Sequence, residues 1–324
     1  MYNAERTIER TLTSVQTQTL TAIEIIVVDD GSTDAGPSIV ERHALSDSRV
    51  QLLRKRNQGV AAARNHGARR ARARLLSFID ADDLWAPEAL ARQYDIFVEE
   101  GGKVGLVYSW FARINDKDEI VSYESSSVEE GDVLSAICLR NFIGNGSSSM
   151  IRRDLFEEVG GFDASLRDHD AEGCEDYDLF GRLAGRCEFR LVRAFDVGYR
   201  QANDNMSGNL ARMARSRSIC ASRLLRRHPD HAKLIRHGRR RFLRWSLRRA
   251  LRLRRWDYGL SIMALMLKHE PVANLVDLPG LLLRGREIRL LADRMENSGV
   301  AGEVFRIGAL AGQSEPMLRM EEEA

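Results

Sequence analysis

An apolar run that ends in three carboxylates is the feature that most constrains the fold of this chain. The stretch LLSFIDADDLW, residues 75–85, places Asp80, Asp82 and Asp83 directly after an apolar segment. A short continuous apolar run is typical of a strand covered on both faces, as in a parallel sheet. Open α/β sheets bind ligands beyond the carboxyl ends of such strands, so these acids are candidates for a divalent cation or phosphate site. They could also cap a following helix, because acidic side chains favour a helix start.

Strands and helices alternate along the first two thirds of the chain. We predict strands at 23–28, 50–53 and 75–79, and helical periodicity follows each of them. Such alternation predicts an α/β fold with a mostly parallel mixed sheet flanked by helices. The rest of the chain has helical periodicity alone. We therefore divide the chain into an α/β domain over residues 1–209 and a C-terminal helical region over residues 210–324.

The positive charge of the chain is concentrated in one segment. The whole chain has a net charge of +2, yet residues 212–256 contain sixteen Arg and one Lys against the single acid Asp230. Leu243, Leu247 and Leu251 recur every four residues among these Arg, which predicts an amphipathic helix. Three interpretations remain open: a helical bundle packed on the acidic domain, a helix lying on an anionic membrane, and a nucleic-acid surface. We favour the first and regard nucleic acid as the weakest partner.

Cysteine spacing and hydropathy indicate a compartment. The four cysteines have no CxxC spacing and are too sparse for a disulfide scaffold, which favours reduced thiols in a cytosolic protein. No apolar run approaches the roughly 20 residues of a membrane-spanning helix. We therefore expect a soluble or peripheral protein, either in the cytoplasm or at the inner face of the membrane.

Clusters of carboxylates adjoin three predicted elements. Asp29 and Asp30 follow the first strand, the acids at 80–83 follow the third, and those at 175–178 open a helix. In a parallel sheet the first two clusters lie at the same edge. Mg²⁺ or Mn²⁺ needs only one or two carboxylates when water and substrate phosphates supply the other ligands. Because the chain has no glycine-rich P-loop, the arrangement fits a bound nucleoside diphosphate.

Five segments, in their order along the chain, resemble the signatures of the family-2 inverting glycosyltransferases with the GT-A fold. The resemblance extends from Tyr2 to about Ser207, and its segments are VVDDGSTD at 27–34, NQGVAAARNHG at 57–67, FIDADD at 78–83, GGFD at 160–163 and CEDYDLFGRL at 174–183. It implies transfer of a sugar from a UDP-sugar or another nucleotide sugar, with Mn²⁺ or Mg²⁺, to a saccharide or lipid-linked acceptor. Synthesis of a cell-surface polysaccharide or glycolipid is the implied role. The alternative is a non-catalytic nucleotide-binding protein on the same scaffold.

The resemblance also implies roles for single acidic residues. Asp82, the second acid of the DxD motif, would bind the metal ion, and Asp80 would lie near the ribose or the metal. Asp176 matches the position of the catalytic base that takes a proton from the acceptor hydroxyl. Glu175 and Asp178 are the alternatives for that base.

The remaining implied contacts are with the nucleotide. Asp30 would accept the N3 hydrogen of uracil, or it is only a turn acid. Tyr2 would stack on the base, or it is an ordinary core aromatic residue. Arg64 would flank the nucleotide, or it forms a salt bridge at the surface, and Arg200 would reach the diphosphate.

The start of the chain departs from the family pattern. Family members usually begin with an apolar strand that runs into a Pro-x-Tyr-Asn step, whereas this chain opens with Met1, Tyr2 and Asn3. The strand in question is normally central in the sheet. We therefore expect a gap in the sheet, with unpaired backbone groups on the neighbouring strands, unless another segment fills it.

Overall fold

The structure of the protein, a computed structural model, describes residues 1–124, 127–201 and 208–269. The strands in these residues are β1 (Ile25–Asp29), β2 (Val50–Arg54), β3 (Leu75–Ser77), β4 (Leu84–Trp85), β5 (Val104–Ile114), β6 (Ile120–Glu124), β7 (Ser149–Arg152) and β8 (Glu188–Arg200). The α-helices are α1 (Ile8–Gln16), α2 (Gly36–Ser46), α3 (Val60–Arg70), α4 (Ala89–Glu100), α5 (Leu134–Leu139), α6 (Arg153–Glu158), α7 (Glu175–Leu183), α8 (Leu210–Arg227), α9 (Ala232–Arg252) and α10 (Trp256–His269).

The described strands form two separate sheets. β1 and β2 pair in parallel, with Ile25 opposite Val50. The larger sheet has the order β3-β7-β5-β8-β4, and β6 pairs with β5 beside this path. Within the larger sheet the β5–β8 ladder is parallel and the other ladders are antiparallel. The mixed α/β architecture agrees with the strand and helix alternation of the sequence.

The acid-bearing strand β3 differs from the expectation in one respect. We expected a parallel strand covered on both faces, but among the described strands β3 pairs with β7 alone, in antiparallel orientation. Leu76 is its one buried residue. The physical reason is that the other edge of β3 faces a cavity, so that no strand in the described part of the chain lies parallel to it there.

Strand β5 is the centre of the larger sheet. Its apolar sequence, VGLVYSWFARI, is buried almost throughout, as expected for a strand with neighbours on both edges and layers on both faces. β5 pairs with β8 along ten register positions, from Val104 to Ile114. This long ladder carries β8 to Arg200, which lies beside the acidic loop that follows β3.

A cavity of about 1180 Å³ separates β1 from β3. Its walls are mostly apolar side chains of β1, β3 and α1, and these two strands do not pair across it. Met1 lies beside β1: its amino group donates to the Val28 carbonyl at 2.6 Å, and its own carbonyl accepts the Asp30 N–H at 2.9 Å. Hydrogen bonds to the residues on either side of Asp29 are the pattern of a parallel ladder. Beyond this pairing, β1 and β3 belong to separate sheets with the cavity between them, which is where we expected a gap.

The helices that follow β8 pack on the α/β domain. On α8, Arg223 forms an ion pair with Asp163 at 2.5 Å, and Arg212 and Arg215 pair with Asp170. Helices α8, α9 and α10 share a small apolar core of their own. The packed-bundle interpretation thus agrees with the contacts of α8. The helical periodicity of the sequence also predicts a helix at 281–295, a segment that lies outside the described residues.

The cavity generates a prediction about stability. We expect a five-residue apolar segment, the length of β1, joined before Met1 to raise the melting temperature by at least about 4 °C, because it would pair with unpaired strand edges and bury apolar surface. Calorimetry against an extension of equal length made of Gly and Ser provides the matched comparison. Equal melting temperatures for the two extensions would contradict the prediction.

Candidate active site

Ser147 organises the acidic loop at residues 80–83. Its hydroxyl donates to Asp83 Oδ2 at 2.6 Å and accepts the Asp80 N–H at 3.1 Å. Its carbonyl accepts the indole N–H of Trp85 at 2.8 Å. Asp83 is fully buried, and burial together with the charge of Asp82 raises its pKa well above the usual range. Asp83 is therefore an internal support of the loop, and the other two acids face the site.

Asp82 has the properties of a cation ligand. Its side chain is half-buried, and within the described residues its carboxylate makes no hydrogen bond or ion pair with another side chain. Burial, and then the neighbouring charge of Asp80, raises its pKa. A divalent cation would relieve that repulsion. Among the described residues no group of three or more His, Cys, Asp or Glu could hold a metal by itself, so such an ion needs phosphate oxygens and water as further ligands.

Arg200 holds the acidic loop at residues 80–83 through hydrogen bonds from its backbone and its guanidinium. Its backbone N–H donates to Asp83 Oδ1 at 2.9 Å, and its Nε donates to the Asp82 carbonyl at 2.7 Å. The guanidinium also pairs with Asp118, and the residue is 1% exposed. In this structure the contacts of Arg200 are with the protein, and they hold the loop in place.

Arg64, on α3, joins the acidic loop to the start of α7. Its guanidinium forms an ion pair with Asp80 and lies 3.5 Å from Glu175 Oε1. It also lies over the ring of Phe162, 5.1 Å from the centroid. Burial opposes the charge of Arg64, but Asp80 and Glu175 outweigh it and raise its pKa. The residue is salt-bridged, as one interpretation of the sequence held, but its side chain is only 11% exposed and does not lie at the open surface.

Asp176, in the first turn of α7, is a half-buried carboxylate held by two donors. Asn141 Nδ2 donates to its Oδ2 at 3.1 Å, and the Tyr177 N–H donates to its Oδ1 at 2.6 Å. The Asn141 side chain is itself oriented, because its Oδ1 accepts the Gly144 N–H. Burial, followed by the charge of Glu175, raises the pKa of Asp176 to about 7. Such a pKa suits a general base at neutral pH.

The two alternatives to Asp176 are engaged elsewhere. Asp178 is buried and forms an ion pair with Arg182 at 2.9 Å. Glu175 accepts the Gly173 N–H and faces Arg64. These contacts leave Asp176 as the acid of this cluster best suited to exchange a proton.

The two residues expected at the nucleobase lie side by side at the end of β1. Asp30 is 4% exposed, and its oxygens accept from Lys55 Nζ at 2.5 Å and from the backbone N–H groups of Gln58 and Gly59. A base would share these oxygens with internal donors. Tyr2, which follows the residue bonded to the Asp30 N–H, is 53% exposed and is not a core aromatic residue.

Sequence reasoning missed Ser147 and Asn141. Both lie in the polar stretch that precedes β7, where hydroxyl and amide side chains cluster between apolar segments. This clustering of hydrogen-bonding side chains was the available signal. The long-range contacts that give them their roles, with Asp83 and Asp176, depend on the folded chain.

The fold and the acidic loop define a GT-A domain. Solved structures that resemble the chain include S. aureus TarS in complex with UDP, with a TM-score of 0.55 and 18% identity over 74% of this chain and 68% of that one. They also include the mannosyltransferase PcManGT from Pyrobaculum calidifontis in complex with GDP-Man and Mn²⁺, with a TM-score of 0.58 and 19% identity over 91% of this chain and 82% of that one. At this identity they establish the fold alone.

The family follows from the sequence comparisons. The family model described as Glycosyl transferase family 2 matches residues 1–160. The uncharacterized glycosyltransferase EpsJ of Bacillus subtilis is 42% identical over 83 residues, which cover 26% of this chain and 24% of that protein. An uncharacterized glycosyltransferase of Haemophilus influenzae is 28% identical over 183 residues, which cover 56% of this chain and 59% of that protein. The chain therefore contains a glycosyl transferase family 2 domain at residues 1–160.

The matched part of each curated relative is limited. The chain spans between about a quarter and three fifths of the length of the first relatives it matches.

The orientation of Asn141 generates a prediction about Asp176. We expect Asn141→Ala to raise the pKa of Asp176 above 7 by about 1, because the lost N–H favours the carboxylate form. The change can be followed by NMR titration of the labelled carboxyl carbon. Gln51→Ala removes an exposed amide from β2 and serves as the control. An unchanged titration in Asn141→Ala would show that this hydrogen bond does not tune the carboxyl group.

Proposed function

We propose that the chain is an inverting glycosyltransferase that moves a sugar from a UDP-sugar, or another nucleotide sugar, to a saccharide or lipid-linked acceptor. The observation that carries this proposal is the Arg64 bridge, which joins the loop bearing Asp80 and Asp82 to the helix bearing Asp176. A diphosphate anchor and a proton acceptor are the two groups that a single displacement at a sugar carbon needs. We take residues 1–209 as the catalytic domain.

The donor is proposed from chemistry and from the structural neighbours. TarS binds UDP, and PcManGT binds GDP-Man and Mn²⁺; this supports a nucleotide-sugar donor and a divalent metal for the present chain. Asp82 would hold the Mn²⁺ or Mg²⁺, with Asp80 beside it. When bound, the metal neutralises the charge that develops on the leaving diphosphate. Tyr2 and Asp30 would contact the base, and Arg200 would act by holding the loop.

Asp176 would act on the acceptor. As the acceptor hydroxyl oxygen forms its bond to the anomeric carbon, Asp176 takes the hydroxyl proton. The bond from that carbon to the diphosphate oxygen breaks on the opposite face, and the electron pair leaves with the diphosphate. The configuration of the sugar is therefore inverted. Asn141 and the Tyr177 N–H would keep the carboxylate aimed during this step.

One observation favours a second candidate function. The cavity between the two sheets extends to Arg64 and Ala81, which belong to the proposed site. No continuous sheet therefore separates the proposed site from the cavity. A chain of this kind could bind a nucleotide without turnover. In either case we propose that it acts in the cytoplasm or at the inner face of the membrane, in the synthesis of a cell-surface polysaccharide or glycolipid.

Two substitutions separate binding from chemistry. We expect Asp82→Ala to weaken Mn²⁺-dependent UDP binding at least tenfold, since it removes the proposed ligand. Asp176→Asn should retain that binding but lower glycosyl transfer at least a hundredfold, since general-base catalysis contributes about 10²–10⁴. Calorimetry with UDP and Mn²⁺, and a transfer assay over a panel of nucleotide sugars, measure the two effects.

The control for Asp82→Ala is Asp95→Ala, which removes an exposed acid of α4. Nucleotide binding without transfer in the unsubstituted chain, for every donor in the panel, would favour the second candidate function. Unchanged UDP binding in Asp82→Ala would contradict the proposed metal ligand.

A further inference from the structure

Helix α10 exposes an apolar face. Trp256, Leu260 and Leu267 are 64%, 66% and 48% exposed, and their spacing places them on one side of the helix. The opposite side carries Ile262 and Met266, which are buried in the core shared with α8 and α9. One exposed leucine is ordinary, but three large apolar side chains on one helix face indicate a contact surface.

The turn before α10 adds positive charge to this face. Arg252, the last residue of α9, and Leu253 and Arg254 in the turn that follows it are exposed, and Leu253 is 55% exposed. Arg255 is also exposed, pairs with Asp257 and lies over the ring of Tyr258. The surface therefore joins large apolar side chains to exposed guanidinium groups.

This combination fits one partner better than the others. At a membrane interface a Trp ring lies at the depth of the headgroups, Leu side chains enter the acyl region and Arg side chains contact lipid phosphates. A nucleic acid would contact the guanidinium groups through its phosphates, but it would not bury the side chains of Leu260 and Leu267. No helix in the described ranges is long and apolar enough to cross a bilayer, so a contact made by these residues would lie along its surface.

We propose that this α10 face, formed by Trp256, Leu260, Leu267 and residues 252–254, docks on an anionic phospholipid bilayer. The inference rests on the proposed function, to which it adds the surface that would present a lipid-linked acceptor. Each Lys or Arg near such a surface strengthens binding about fivefold, and raised salt weakens that contribution. Burial of the three large apolar side chains of α10 supplies the part of the binding that salt does not remove.

The test is flotation of the full chain with vesicles. We expect binding to vesicles that mix phosphatidylglycerol with phosphatidylcholine, and much weaker binding to phosphatidylcholine alone. The double variant Trp256→Ser/Leu260→Ser should bind the mixed vesicles at least tenfold more weakly. Leu45→Ser is the matched control, because Leu45 is 90% exposed on α2, outside the face. Circular dichroism during melting checks that the variants remain folded.

Three results would overturn the inference. The first is that the unsubstituted chain does not float with the mixed vesicles. The second is that the double variant and the unsubstituted chain float equally. The third is that sedimentation analysis shows a dimer of the unsubstituted chain and a monomer of the double variant. UDP binding with Mn²⁺, measured on the same samples, keeps this inference apart from the proposed function. If the unsubstituted chain does not bind UDP with Mn²⁺, that result counts against the proposed function. The membrane contact is decided by the flotation result alone.

Discussion

The ion pairs of Arg64 are the interaction on which the candidate site depends. A single guanidinium lies between Asp80, in the loop after β3, and Glu175, at the start of α7. Without it, two carboxylates from distant parts of the chain would face each other in a partly buried setting, and like charges there raise each other's pKa. Removing one partner of a buried pair is costly because the remaining charge is left uncompensated. Arg64 therefore sets the distance between the loop and the helix.

Some of the groups around the Arg64 ion pairs hold the acidic side chains in place, and others are the acids proposed to take part in the reaction. Ser147 and the Arg200 backbone hold Asp83, so the buried acid anchors the loop and leaves Asp82 turned toward the site. Asn141 holds Asp176 in the same way on the other side. Asp82, the proposed metal ligand, and Asp176, the proposed base, each have a neighbour whose hydrogen bonds keep the acid in position. Precise sites generally require such support. The raised pKa of Asp176, to about 7, follows from this partly buried setting.

The sequence predicted the elements well where a local pattern determines them. Strands β1 and β2 lie within about two residues of the segments expected at 23–28 and 50–53, and α7 begins at residue 175, where the acids were expected to open a helix. Apolar spacing and local turn chemistry act over such short distances. Helix α6 was not expected, because its six residues are too few to show a helical period. The apolar run after residue 75 suggested a longer parallel strand, whereas β3 has three residues and an antiparallel partner.

The candidate site was predictable in its acids but not in their partners. Asp82 and Asp176 belong to recognisable motifs, and both are half-buried. Arg200, by contrast, is buried against Asp118 and the acidic loop, a contact between residues far apart in the chain. Ser147 and Asn141 depend on contacts of the same kind. Such pairings are set by how the strands and helices pack, which a local pattern does not contain.

The central claim is that the loop at residues 80–83 and Asp176 form one metal-dependent site. The most direct measurement is an anomalous difference map from crystals grown with UDP and Mn²⁺. We expect a manganese peak at the Asp82 carboxylate, with the UDP diphosphate on the same ion and on the side that faces Asp176. A manganese ion bound away from the acidic loop, or UDP bound in the cavity between the two sheets, would contradict the claim.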